Sequence, residues 1–331
     1  MELPARCALC DARASASSTL LPEGYDWRGQ IFRYSRCSAC SGETIHPLPS
    51  DMQLNEMYRR DRYHNAYYAN ADEQVSPSRW AEVQQVIGRG RRLLDVGCGN
   101  GVFLREATRA GFDAVGTELD PETRQAAVSN SACRVVPLND LIASGERFDV
   151  IRLGDVLEHL REPRRNLTEL EGLLADGGRF FIEGPLEINW SLVRLSSSAF
   201  AHLKRLRGKK LLSDTPPYHL TRTNAWSQRR FFERTMGYQV LYFKVSESGW
   251  PYLAHPTDRT ARTDGLGKLR LLIGRSAVIV AWMSSFLGLQ LGNRFAALVV
   301  PVKPTSRSAA KYASAAASIP KSRARRSCKV G

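Results

Sequence analysis

The stretch "RRLLDVGCGNGVFL", Arg91 to Leu104, decides how this chain is read. Leu93 to Val96 form a short apolar run of strand type, glycines stand at 97, 99 and 101, and a helix is expected to start at the last of them. A strand, a glycine turn and a helix N-terminus together make a cradle for a nucleotide. Two common occupants do not fit it. A P-loop requires Gly-Lys-Ser/Thr, and here Gly101 is followed by Val102 and Phe103. A dinucleotide turn requires G-x-G-x-x-G, and Gly97-Cys98-Gly99-Asn100-Gly101-Val102 has no glycine at the last place.

The acid before the turn points to the ligand. Asp95 lies two residues ahead of Gly97, where a carboxylate repels a pyrophosphate but suits a group bearing an ammonium and a sulfonium. The expected cofactor is S-adenosylmethionine. Outward from the turn, strand-like runs at 92–96, 113–118, 133–136, 148–153 and 178–183 alternate with helical runs at 101–110, 121–129 and 163–174. This rhythm predicts a parallel sheet covered by helices on both faces. A helix over "AWSQRRFFERTMG" and strands at 238–245 and 295–303 complete it. Ligands of such sheets bind at the carboxyl ends of the strands. That rule assigns Glu118, 21 residues after Gly97, to the ribose hydroxyls, and Asn139, Asp140 and Leu141 to the adenine. Leu153 and Asp155 then fall beside the methionine portion, with Asp95, Gly97, Gly99 and Gly101 forming the turn itself.

Near the N-terminus, Cys7-x2-Cys10 and Cys37-x2-Cys40 form two knuckles, which can offer four thiolates to one tetrahedral zinc. Four sulfur ligands leave no open position, so the expected zinc is structural. Pro47 and Pro49 mark a boundary after this module, and Ser50 or Asp51 can cap a following helix. The tyrosines at 58, 63, 67 and 68 are read as the core of a helical linker over 49–90.

Charge is unevenly placed. Residues 1–250 carry 33 Lys/Arg against 31 Asp/Glu, whereas residues 301–331 carry 8 against none. A near-neutral body argues against a nucleic-acid enzyme, which surrounds its site with basic surface. Ser276 to Asn293 contain no charge and read either as a helix buried on the catalytic domain or as one lying in a membrane interface, and a basic end beside this apolar segment fits an anionic membrane surface. The opening "MELPARCALC" has no apolar core of a secretory signal, so the expected location is cytoplasmic, peripheral at the inner face of the membrane. The tail over 304–331 is rich in Ser, Ala, Lys and Arg and is expected to be disordered.

"LLDVGCGNG", "GTELD", "FDVIRLGDVLEHL" and "LLADGGRFFIEGP" together resemble a class I S-adenosylmethionine-dependent methyltransferase over residues 91–185. The N-terminal "CALC" and "YSRCSAC" elements are similar to a zinc-ribbon branch found among bacterial methyltransferases of cell-surface polysaccharide and sugar pathways. The chain departs from that branch at Ser41-Gly42, where the branch places glycine directly after the last cysteine. The resemblance implies a Rossmann-like, seven-stranded α/β sheet over 91–303 with a zinc ribbon over 1–48; its motifs do not cover residues 251–331, where the uncharged stretch itself gives an apolar helical insertion over 251–293. It implies methylation, at oxygen or carbon, of a sugar, glycan or lipid-linked saccharide. The alternative is an RNA methyltransferase that grips its substrate with the ribbon. A hydroxyl or acidic carbon needs a placed base. His219, in "PPYHLTRTNAW", and His159, in "DVLEHL", are the candidates, with Tyr218 and Glu158 behind them.

Overall fold

The computed structural model describes residues 6–12, 24–59, 77–88, 91–208, 212–249, 252–253 and 265–302. The chain starts with a hairpin, β1 (Gly24–Trp27) and β2 (Gln30–Arg36), closed by a two-residue turn at Arg28-Gly29 in which both residues have positive φ. That is the turn whose twist matches the flanking strands. β3 (Glu43–His46) pairs antiparallel with β2, so the second cysteine knuckle is the loop between them. Helix α1 (Asp51–Met57) is capped by Ser50, whose hydroxyl accepts from the Gln53 amide while the Gln53 side chain answers the Ser50 amide. Helix α2 (Pro77–Ile87) leads to the large sheet, burying Val83 and Ile87 against it. Of the four tyrosines assigned to the linker, only Tyr58 lies among the described residues.

β4 (Arg92–Val96) is followed by α3 (Val102–Arg109), β5 (Asp113–Thr117), α4 (Pro121–Ser131), β6 (Arg134–Val136), α5 (Leu138–Ser144), β7 (Phe148–Gly154), α6 (Pro163–Glu171) and β8 (Leu174–Pro185). α6 stops three residues short of the expected 174 because β8 starts there and runs four residues ahead of the predicted strand. Beyond β8 come α7 (Leu192–Leu206), β9 (Leu212–Ser213), β10 (Thr221–Arg222), α8 (Ala225–Arg230, continued as a π-type turn over Phe231–Thr235), β11 (Tyr238–Ser246), α9 (Gly265–Ser285) and β12 (Arg294–Pro301). α5 and α7 were not anticipated, and α9 starts eleven residues before the uncharged segment.

The large sheet has the order β11-β12-β8-β7-β4-β5-β6. Pairing is parallel from β6 through β8, and β12 slots antiparallel between β8 and β11. This is the expected seven-stranded sheet. Strand order reverses beside β4, and a ligand cleft opens at the carboxyl ends there. Leu93 and Leu94 are fully buried on opposite faces of β4, as a central parallel strand requires.

A second sheet has the order β10-β3-β2-β1-β9, so residues 212–213 and 221–222 supply both edges of the N-terminal sheet. Cys7, Leu9, Cys37 and Cys40 belong to the same buried cluster as Leu157, Phe180 and Phe232. The cysteine knuckles of the ribbon therefore pack against the apolar core of the large domain.

Candidate active site

The glycine turn adopts the geometry its sequence implies. Gly99 and Gly101 have φ of 55° and 80°. A Cβ on Gly101 would lie 2.8 Å from the Ala127 carbonyl oxygen, so this glycine is required by the packing of α4. A Cβ on Gly99 would meet nothing within 4 Å. The space above Gly99 is open, as a cradle for a ligand must be.

The two expected acids flank it. Asp95 is fully buried, and its register partner on β7 is Arg152, whose guanidinium donates to Asp95 Oδ1 at 2.8 Å. Burial lifts the Asp95 carboxyl above the usual carboxylate range against the pull of Arg152. Asp95 Oδ2 is buried with no hydrogen-bond partner among the described residues. A ligand ammonium would satisfy it. Glu118 follows β5 directly, and its Oε2 accepts from the Gly99 amide at 3.0 Å while its Oε1 accepts from the Leu119 amide at 2.7 Å. Glu118 and the glycine turn are thus tied together.

The remaining expected contacts divide. Asn139 and Asp140 are exposed on the first turn of α5, whereas Leu141 and Leu153 are fully buried in the core. Asp155, in left-handed backbone at φ 54°, accepts two hydrogen bonds from Arg294 of β12 at 2.7 and 2.8 Å.

His159 and His219 come together, with ring centroids 4.8 Å apart. His159 lies in a short 3-10 turn after β7, and His219 lies between β9 and β10. His219 Nδ1 is 3.1 Å from Glu187, which follows β8. Burial pulls the His219 pKa down, but the charge and hydrogen bond of Glu187 outweigh it and raise the value to about 9. Burial would likewise raise Glu187, yet His219 and Arg222 hold it at about 2. His159 is the opposite case, lowered to about 3 by burial and by the charge of His219. Its Nδ1 lies 2.9 Å from the Tyr218 carbonyl and 2.7 Å from the Tyr58 hydroxyl, and that hydroxyl donates to the same carbonyl. His159 therefore carries its proton on Nδ1. Burial and the Asp155 charge raise Glu158 to about 8. At neutral pH the cluster holds a charged His219–Glu187 pair beside a neutral histidine and a neutral carboxyl.

The N-terminal sheet supports this cluster. The Tyr34 hydroxyl donates to the His219 carbonyl, the Ile45 amide donates to the Leu220 carbonyl, and Arg222 stacks 3.7 Å over the Tyr34 ring. Glu187, Arg152 and Arg222 were not singled out from sequence, and Tyr58 was read only as helix core. Glu187 had a legible signal, an acid just past the carboxyl end of a central strand. Tyr58 had none, because its partners lie 101 and 160 residues away.

The four knuckle cysteines converge, with all their sulfurs within 4.8 Å of one another. Cys7 and Cys40 Sγ are 3.7 Å apart, and Cys10 and Cys37 Sγ 3.6 Å. A tetrahedral zinc with bonds of about 2.3 Å has sulfur–sulfur edges of about 3.8 Å. The donor set fits that ion. The knuckles match one another: Asp11 and Ser41 have φ of 62° and 56°, and each donates its amide to the carbonyl of the first cysteine. Ser41 thus takes a left-handed position of the kind glycine favours.

Residues 67–236 match the family model described as "Methyltransferase domain". The chain belongs to that family. Its domain is a class I, S-adenosylmethionine-dependent methyltransferase domain. It is 37% identical over 97 residues to a ubiquinone biosynthesis O-methyltransferase of Cereibacter sphaeroides, covering 27% of this chain and 39% of that one. It is 30% identical over 178 residues to a tRNA U34 carboxymethyltransferase of Methylococcus capsulatus, covering 50% and 54%. The matches thus span less than two thirds of the length of these relatives. Among solved structures, the PH0226 protein of Pyrococcus horikoshii is similar with a TM-score of 0.44 at 12% identity, covering 73% of this chain and 98% of that one.

Proposed function

We propose that the protein methylates a hydroxyl or an acidic carbon of a sugar, glycan or lipid-linked saccharide, with His219 as the base. The observation that carries this reading is the His219–Glu187 pair at the carboxyl end of the sheet. S-adenosylmethionine, when bound, supplies a methyl group on a sulfonium that is already a good electrophile. Asp95, the glycine turn and Glu118 are the residues to hold it, by ammonium, chain and ribose in that order. Asn139 and Asp140 are the proposed neighbours of the adenine, with Leu141 and Leu153 forming the apolar floor and Asp155 near the methionine portion.

What this chain adds is control of a proton. His219 Nδ1 is engaged by Glu187, so in the fraction of molecules whose imidazole is neutral Nε2 takes the proton of the acceptor. The carboxylate stabilises the imidazolium that results. His159, uncharged and fixed on Nδ1, packs against that ring and holds it in place. The saccharide assignment rests on the zinc-ribbon resemblance, and the four cysteines are proposed to bind a structural zinc. A relative named for ubiquinone O-methylation is consistent with transfer to oxygen.

The RNA reading has one point in its favour, the relative named for tRNA U34. Against it stands the near-neutral body, 33 basic to 31 acidic residues over 1–250. A peripheral position at the inner membrane face suits an acceptor carried on a lipid. Release of S-adenosylhomocysteine is the test, with nucleotide-sugars, lipid-linked glycans and RNA offered in parallel. Turnover with a saccharide acceptor that falls at least a hundredfold in His219→Ala is expected, as loss of a general base costs. Turnover on RNA alone would overturn the saccharide assignment.

A further inference from the structure

α9 is built inside out. Its inward stripe is small, Gly274, Ala277, Ala281 and Ser284 being buried, and this lets the helix pack closely on α7. Its outward stripe is large. Leu272, Ile279, Met283 and Phe286 are 63%, 56%, 57% and 71% exposed, and Trp282 is 64% exposed. A helix that packs only on its own protein does the reverse, turning its large side chains to the core. Contiguous apolar surface of this kind marks an interaction site.

The charges name the occupant. Lys268 and Arg275 stand on the same outward stripe, since 268, 272, 275, 279, 283 and 286 follow steps of three and four. α7 adds exposed Leu195, Leu203 and Leu206 together with exposed Lys204, Arg205 and Arg207. No Asp or Glu occurs between residues 188 and 213, nor from 265 to the end of the chain. A second copy of the chain would set these cations against one another. An anionic lipid surface takes both the cations and the apolar side chains, with tryptophan at the boundary between them. Among the described residues no helix is long and apolar enough to cross a membrane. The helix therefore suits the interface plane.

We infer that the outward face of α9, flanked by α7, docks on an anionic lipid surface. This extends the reading of a lipid-carried acceptor, and the geometry links the two. Asn189 and Trp190 follow Glu187 by two and three residues and are tied to the loop between α9 and β12: Asn189 donates to the Gln290 and Gly292 carbonyls at 2.8 Å, and the Gly292 amide donates to the Trp190 carbonyl. A crevice of about 190 Å³ between the helices, lined by Trp190, Leu192, Leu195, Ala277, Val280 and Leu291, gives apolar room next to that link.

The experiment is flotation of the full chain, without cofactor or acceptor, on vesicles of phosphatidylcholine with and without phosphatidylglycerol. A failure here leaves the proposed chemistry untouched, and a failed acceptor screen leaves docking untouched. Flotation is expected with phosphatidylglycerol, weakened by salt, and reduced at least tenfold in Ile279→Ser/Met283→Ser/Phe286→Ser. All three side chains are exposed, and retained S-adenosylmethionine binding verifies the fold of that variant. Lys268→Glu/Arg275→Glu is expected to abolish the preference for phosphatidylglycerol. The inference is overturned if the wild-type chain stays unbound at low salt. It is equally overturned if the triple variant floats like wild type, which would assign binding to the basic tail, or if the triple substitution instead dissolves a dimer.

Discussion

At the scale of single residues, Gly99 separates folding from ligand binding. A Cβ there meets nothing, and its left-handed backbone is one that Asp tolerates better than most residues. Gly99→Asp should therefore keep a thermal midpoint close to wild type while calorimetry finds no S-adenosylmethionine binding. Unchanged binding would remove the cofactor from this turn. His219 makes a second prediction, in pH. A base with a pKa of about 9 is mostly protonated at neutrality, so methyl transfer should rise with pH up to that value. Glu187→Gln withdraws the stabilising charge and should move the rise back towards 6.5, the ordinary histidine value. Stability carries the opposite sign. A pKa raised from 6.5 to about 9 contributes stability that is complete below 6.5 and lost as pH climbs through 9. Wild type should lose thermal midpoint over that window, and Glu187→Gln should not. A flat rate profile from pH 6.5 to 9 would exclude His219 as the base.

At the scale of elements, the N-terminal sheet supports the His219 segment. β3 pairs with β10, and Tyr34 and Ile45 hold the backbone of His219 and Leu220, whereas the proposed cofactor residues lie on or just after β4 and β5. Cys37→Ser/Cys40→Ser should lose the zinc, and the damage should fall unequally. Turnover is expected to drop at least tenfold while the affinity for S-adenosylmethionine changes less than threefold. Metal analysis beside calorimetry and turnover would check this, and protein purified without chelator that holds no zinc would refute it. α9 shows why an apolar segment is ambiguous when read as a string. The uncharged run after Ser276 is compatible with a buried or an interfacial helix. Only the tertiary structure shows its orientation, small residues inward and large ones outward.

At the scale of the whole molecule, the cysteine knuckles share one apolar cluster with the large sheet, from Cys7 and Cys37 through Leu157 to Phe180 and Phe232, while the N-terminal sheet keeps a small core of its own around Trp27, Phe32 and Ile45. Shared burial couples their unfolding. Circular dichroism and release of zinc to a coloured chelator should report one coincident thermal transition. Two separated transitions would instead establish the ribbon as an independent unit. The shared cluster also limits how a ribbon substitution is interpreted, since a loss of activity can reach His219 without any ligand contact of its own.

The seven-stranded sheet, the glycine turn, the acids Asp95 and Glu118 and the four-cysteine set were legible in the sequence. Each depends on local chemistry at short range: a strand's apolar run, a turn's glycines, an acid at a strand end, two thiols three residues apart. The packing of the ribbon against the catalytic sheet, the pairing of His219 with Glu187, the burial of Leu141 and Leu153 and the outward face of α9 were decided only by the tertiary structure. Glu187 and His219 are brought together by a chain reversal through α7 and β9, and Tyr34 reaches His219 across 185 residues. No spacing rule encodes such contacts, because they follow from which faces of which elements bury against one another.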